Sequence, residues 1–220
     1  MPLTHGKLQI AHTAYFSVHA PEASGPWPVL IILHGFGQVA AEFINVFSSL
    51  PRRDILVAAP QAPHQYYKNL VERRVGFSWL TRFERDQSIQ DFVGYMEKFY
   101  DLLLRAHRLD RERIFVLGFS QGVSMAYRLW AHSQIPLAGL IACGGDLPPD
   151  VCERLQTMKP LRILLVHGIH DQVVPLAKAR EARAQLSKHG MPVDWFEFEG
   201  EHLVPPEANI RIAQFIAKAV

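Results

Sequence analysis

Cysteine is nearly missing from this 220-residue sequence, which carries only Cys143 and Cys152. Two thiols rule out a disulfide scaffold and suit a reducing compartment, so both are expected to be free structural residues. Long apolar runs are missing as well. Val29 to Leu33 and Ile163 to Val166 fall far short of the roughly 20 residues that a bilayer-spanning helix needs. The opening Met-Pro-Leu-Thr-His-Gly-Lys has no apolar signal-peptide core, so a cytoplasmic protein without an integral membrane segment is predicted. Nor is there an excess of one charge: 23 Lys and Arg stand against 21 Asp and Glu. That balance gives no footprint for nucleic acid or an anionic membrane, and it points to a small-molecule partner. No internal repeat or low-complexity tract is present.

What the sequence does have is an ordinary globular composition, 49% hydrophobic, in a chain sized for one domain spanning 1–220. Short aliphatic runs bounded by turn residues predict strands at Val29–Leu33, Ile55–Ala59, Ile114–Leu117, Leu137–Ala142, Ile163–Val166 and Val193–Phe198. Leu8 to His19 is expected to add an edge strand. Between the runs lie helical periodicities, clearest over Gln87–His107, where Ile89, Phe92, Val93, Met96, Phe99, Tyr100 and Leu103 share one face. Asp86 or Ser88 is the expected cap of that helix. Further helices are expected after Ser120, over Leu176–Lys188 and over Glu207–Ala219. The alternation predicts an α/β fold with a doubly wound, mostly parallel sheet and its ligand site at the carboxyl ends of the strands. Pro60 to Arg85 shows no clear period; it leaves a strand at that end, so it is expected as a loop bordering the site.

Gly118-Phe119-Ser120-Gln121-Gly122 follows one predicted strand and opens a predicted helix. This is the context of a nucleophile elbow, in which a sharp strand-to-helix turn presents a serine hydroxyl. Such a hydroxyl is a weak nucleophile and needs a base within hydrogen-bond reach. The chain order Ser, acid, His selects Asp171, in the turn after Ile163–Val166, and His202, in the turn after the last strand. His189 belongs to a helix tail and Asp194 to a strand interior, while Asp146 is an earlier alternative acid. His167, His170 and Asp171 also admit a reading as metal ligands, but no glutamate accompanies the histidines in a metalloprotease-type helical motif. No metal or cofactor is expected. Backbone donors for an oxyanion are expected at Gln121, after the nucleophile, and at Phe36 in the turn His34-Gly35-Phe36-Gly37.

With these residues in hand, the chain resembles the phospholipase/carboxylesterase family of α/β-hydrolases. The resemblance runs from about Val29 to the C-terminus through His34-Gly35-Phe36-Gly37, Ala59-Pro60-Gln61-Ala62-Pro63-His64, Phe77-Ser78-Trp79, Gly118-Phe119-Ser120-Gln121-Gly122, His167-Gly168, Asp171 to Val174-Pro175, and His202. It departs from the family pattern at Val123, where many members carry glycine or alanine, and in the arginine-rich stretch Val71–Arg85. The resemblance implies an α/β-hydrolase fold, a triad of Ser120, Asp171 and His202, oxyanion amides at Phe36 and Gln121, and hydrolysis of carboxylic esters, lysophospholipids or acyl thioesters. The length leaves no insertion for a large cap, so short to medium acyl esters are the expected substrates, with Trp79 and Phe83 as pocket walls opposite Phe36. Two other readings stay open: a dienelactone-hydrolase-like enzyme, which would carry cysteine where Ser120 stands, and a non-catalytic ligand-binding protein of the same fold. A homodimer also stays open.

Overall fold

The computed structural model describes residues 3–218. Seven strands form one sheet in the order β1 (Phe16–His19), β3 (Leu56–Pro60), β2 (Trp27–Leu33), β6 (Leu109–Phe119), β7 (Leu137–Cys143), β8 (Ile163–Gly168) and β9 (Val193–Phe198). β1 pairs antiparallel with β3, and every other neighbouring pair is parallel. The expected edge strand is present but short. Its pairing begins where Phe16 faces Pro60, and a proline has no N–H with which to extend the ladder.

Strand periodicity divides the apolar residues between two faces. Along β2, Val29, Ile31 and Leu33 enter one core, with Phe92, Met96, Val123 and Leu186. Leu30 and Ile32 enter the other, with Phe43, Ile212 and Phe215. Helices α2 (Arg85–Ala106), α3 (Gln121–His132) and α5 (Leu176–Lys188) therefore cover one face. Helices α1 (Ala40–Phe43) and α6 (Pro206–Ala217) cover the opposite one. Ala219, the expected end of the last helix, lies outside the described residues. The connection leaving β2 goes to β3 on one side, and the chain leaving β6 goes to β7 on the other. The carboxyl ends of β2 and β6 thus flank the switch point of the sheet, where open α/β folds leave a crevice. Among the described residues no helix is long and apolar enough to cross a membrane.

Two local expectations are corrected. The cap of α2 is neither Asp86 nor Ser88: the helix starts at Arg85, and Glu84 occupies the N-cap in a left-handed conformation with φ 45°. Asp86 falls in the first turn, where its charge suits the helix dipole, and Ser88 Oγ donates back to the Glu84 carbonyl. The expected loop Pro60–Arg85 holds an antiparallel hairpin, β4 (His64–Asn69) and β5 (Arg74–Ser78). Its turn is set by Asn69 Oδ1, which accepts the N–H groups of Val71 and Glu72. The hairpin buries little, so its residues lack the apolar/polar alternation that marks a half-buried strand.

One polar cluster fastens the helices on the α3 side. Arg128 on α3 is 3% exposed. It meets Asp150 of α4 (Pro149–Cys152) with two parallel bonds of 2.9 Å, and Arg85 adds a third bond of 2.6 Å. Burial would raise the Asp150 pKa, but the two guanidinium groups hold it down to about 2. Deleting this carboxylate strands a buried charge, which typically costs about 3–5 kcal/mol. We expect Asp150→Ala to lower the unfolding free energy by that order, seen in urea unfolding as a lower midpoint with an unchanged m-value. A loss below about 1 kcal/mol would mean that the guanidinium reaches solvent instead.

Candidate active site

Ser120 sits between the end of β6 and the first residue of α3, with φ 53° and ψ −118°. A non-glycine residue held there stores roughly 1–3 kcal/mol of strain. The flanking glycines make the turn possible. A Cβ at Gly118 would lie 2.3 Å from the Gly122 carbonyl oxygen, and one at Gly122 would lie 2.0 Å from that of Leu33. Val123 fits where it does because Gly145 faces it; a Cβ there would come within 2.4 Å of the valine. The Ser120 N–H is taken up by the Cys143 carbonyl at 3.0 Å, which ties the turn to the end of β7.

Asp171 and His202 arrive from the next two strand ends. The turn after β8 is zipped to the turn after β9, since Ile169 N–H donates to Phe198 and His170 N–H to Gly200. Gly168 permits this approach, for a Cβ would stand 2.4 Å from the Glu201 carbonyl oxygen. His202 Nδ1 lies 2.7 Å from Asp171 Oδ2, while Asp171 Oδ1 accepts the N–H groups of Val173 and Val174 at 2.8 Å each. Burial alone would raise the Asp171 pKa, but the hydrogen bonds from His202, Val174 and Val173 outweigh it and hold the carboxyl below its ordinary value. An ionised acceptor requires that Nδ1 carry a proton, which directs Nε2 away from the carboxylate. The imidazole lies over Phe119, with ring centroids 4.9 Å apart, and beside Gly144. Ser120, Asp171 and His202 thus come to one end of the sheet. No hydrogen bond joins Ser120 Oγ to His202 among the described residues; such bonds commonly tighten only around substrate.

The turn after β2 closes the other side. A Cβ on Gly35 would touch Ser120 Cβ at 3.2 Å. Gly35 N–H is bonded to Gln38 Oε1 and Gly37 N–H to the Phe77 carbonyl, whereas Phe36 N–H between them has no partner among the described residues. Gln121 opens α3, so its N–H has no intrahelical acceptor. His34 is fully buried. It donates from Nδ1 to the Gly35 carbonyl at 2.8 Å, and its Nε2 faces Gln61 Nε2 at 2.7 Å and Ala62 N–H at 3.1 Å. Burial lowers its pKa to about 4, against the smaller opposing effect of the Gly35 bond.

The expected pocket walls are corrected. Trp79 is fully buried and contributes no surface to a groove. It packs against His34 and Phe92, at ring-centroid distances of 5.0 and 5.5 Å. Phe83 is 82% exposed, outside any enclosed pocket. The apolar surface beside the elbow is Phe36, already expected there, stacked on Tyr66 of β4 at 5.0 Å; the part of Tyr66 was missed because β4 itself was unseen. The histidines of the metal reading do not converge: His167 Nε2 donates to the Val174 carbonyl at 2.8 Å, and the exposed His170 pairs with Glu199.

The buried His34 makes stability depend on pH. Its folded pKa lies below the unfolded value of 6.5, so its neutral packing stabilises fully above pH 6.5 and the benefit is lost as the pH falls towards 4. A shift of that size corresponds to about 3 kcal/mol. We expect unfolding free energies measured from pH 7 to pH 4 to fall by up to that amount relative to His34→Gln. Parallel curves for the two proteins would mean that His34 takes up its proton as readily in the fold as in the unfolded chain.

The chain resembles known proteins in sequence and in fold. The chain is 25% identical over 225 residues to acyl-protein thioesterase 1 of Mycosarcoma maydis, covering 89% of this chain and 92% of that protein. It is 27% identical over 168 residues to the provisional esterase NocK of Nocardia uniformis subsp. tsuyamanensis; that match covers 75% of this chain and spans 46% of NocK, just under half its length. The crystal structure of esterase PE8 superposes with a TM-score of 0.75 at 21% identity, covering 94% of this chain and 99% of that one, and so shares the fold. The profile of the phospholipase/carboxylesterase family matches residues 13–220, and the chain therefore belongs to that family of α/β-hydrolases.

Proposed function

We propose that the protein is a serine esterase that hydrolyses short to medium acyl esters or thioesters through an acyl-enzyme intermediate. The observation that carries this reading is the convergence of the strained Ser120 elbow, the Asp171–His202 pair and two unpaired N–H groups at one end of the sheet. His202 Nε2 takes the proton from Ser120 Oγ as the oxygen attacks the acyl carbon, and Asp171 stabilises the imidazolium that forms. The N–H groups of Phe36 and Gln121 receive the negative charge of the tetrahedral intermediate. His202 then protonates the leaving alcohol or thiol, and a water activated by the same imidazole releases the acid. The acid is Asp171 and not Asp146, because Asp171 is the carboxylate bonded to the imidazole and Asp146 is exposed. Two unpaired thiols, one buried and one half-buried, fit a cytoplasmic setting.

The acyl chain lies along Phe36 and Tyr66, with Leu203 beside His202 as a second apolar contact. Phe36 is 58% exposed and Leu203 45%, so this is an open surface that serves a limited chain length. Each methylene covered there adds up to about 0.8 kcal/mol, or roughly fourfold in kcat/KM.

Fluorophosphonate labelling tests the core of this proposal. The wild type is expected to label at Ser120, and Ser120→Ala to lose label and turnover, the latter by on the order of 10⁴–10⁶-fold, with an unchanged fold. Retention of more than a few per cent of activity would refute the assignment. For p-nitrophenyl esters of increasing length, kcat/KM should climb and then level off, and Phe36→Ala should flatten the climb. A profile still rising at long chains would contradict the open surface.

A further inference from the structure

Resting on the esterase reading above, we infer that Trp79 is a positioning residue that sets the spacing of the two oxyanion donors. Those donors belong to different elements: Phe36 N–H to the turn after β2, and Gln121 N–H to the first residue of α3. Trp79, just past the end of β5, holds both. Its indole Nε1–H donates to the His34 carbonyl at 2.8 Å, two residues before Phe36. Its backbone N–H donates to Gln121 Oε1 at 3.0 Å. The Gln121 amide is fastened from its other side, since Nε2 donates to the Leu80 carbonyl at 2.9 Å and to Ser78 Oγ at 3.1 Å. Every polar atom of that side chain therefore serves to hold residue 121 against residues 78–80.

Trp79 is fully buried, and its aromatic body packs on His34 and Phe92. In water-excluded surroundings such bonds are directional and costly to leave unmade. An oxyanion donor acts only if it points at the place where charge develops, and displacement of a catalytic group by about 1 Å costs on the order of 100-fold. A residue that locks two donors from separate elements should therefore act on the transition state more than on substrate binding.

The test compares Trp79→Phe, which keeps an aromatic body but removes the indole donor, with Gln121→Met, which keeps length but removes the amide. The assay is run well below the measured melting temperature of each variant, so that all molecules are folded. We expect each variant to lower kcat about 10- to 100-fold with KM changed less than threefold, and to weaken a trifluoromethyl ketone, which forms the tetrahedral adduct, by the same factor. The double variant should lose less than the product of the two single losses, because both changes disable one latch. Wild-type kcat in both variants would overturn the inference, as would losses that appear only in KM or that vanish on cooling. Ser120→Ala assayed alongside separates the two levels: if it stays active, the esterase reading itself fails, and if it is dead while both latch variants turn over normally, only the role of Trp79 falls.

Discussion

The first turn of α3 is pressed directly against the end of β2. A Cβ at Gly122 would lie 2.0 Å from the Leu33 carbonyl oxygen and 2.9 Å from that of His34, so no side chain fits between the two elements. This closeness forces the chain to leave β6 through a single residue in a strained conformation, and that residue is Ser120. It also sets the turn containing Gly35 and Phe36 beside Ser120 and the start of α3. The strain at Ser120 is carried by what surrounds it: the Cys143 carbonyl on its N–H, the cores on both faces of β6, and the Trp79–Gln121 contact.

Around that turn, the buried Asp171 and His34 have their polar atoms paired. Asp171 spends one oxygen on two backbone N–H groups and the other on His202, so its charge survives burial. His34 is kept neutral because one ring nitrogen donates and the other accepts. The two histidines thus have different duties. His34 is enclosed and fixes a turn, while His202 has its Nδ1 bonded and its Nε2 free, the state that a general base requires.

Much of this was legible in the sequence because it rests on local chemistry. The parallel strands are aliphatic runs buried on both faces, and their order fixes which turns reach the carboxyl end. The elbow motif has two glycines at positions where only glycine fits. The pair Asp171 and His202 follows from chain order together with their places in turns after strands, with Asp146 left as an alternative acid. The hairpin β4–β5 was not legible, because Lys68, Glu72, Arg73 and Arg74 lie exposed among its aromatic and aliphatic residues, so no buried face imposes a period. Trp79 was misread as a pocket wall for a related reason. Its neighbours Phe77, Ser78 and Leu80 show no helical or strand period in the sequence, and nothing short of the tertiary structure shows that its indole lies beneath the His34 turn.

Acylation of Ser120 during turnover is the step on which the proposed chemistry rests, and rapid quenching of a reaction with p-nitrophenyl butyrate followed by intact and peptide mass spectrometry detects it. A transient butyryl adduct is expected on the peptide containing Ser120, formed with a burst of nitrophenol and lost at the steady-state rate. Steady turnover by the wild type with the adduct on another residue would contradict this mechanism.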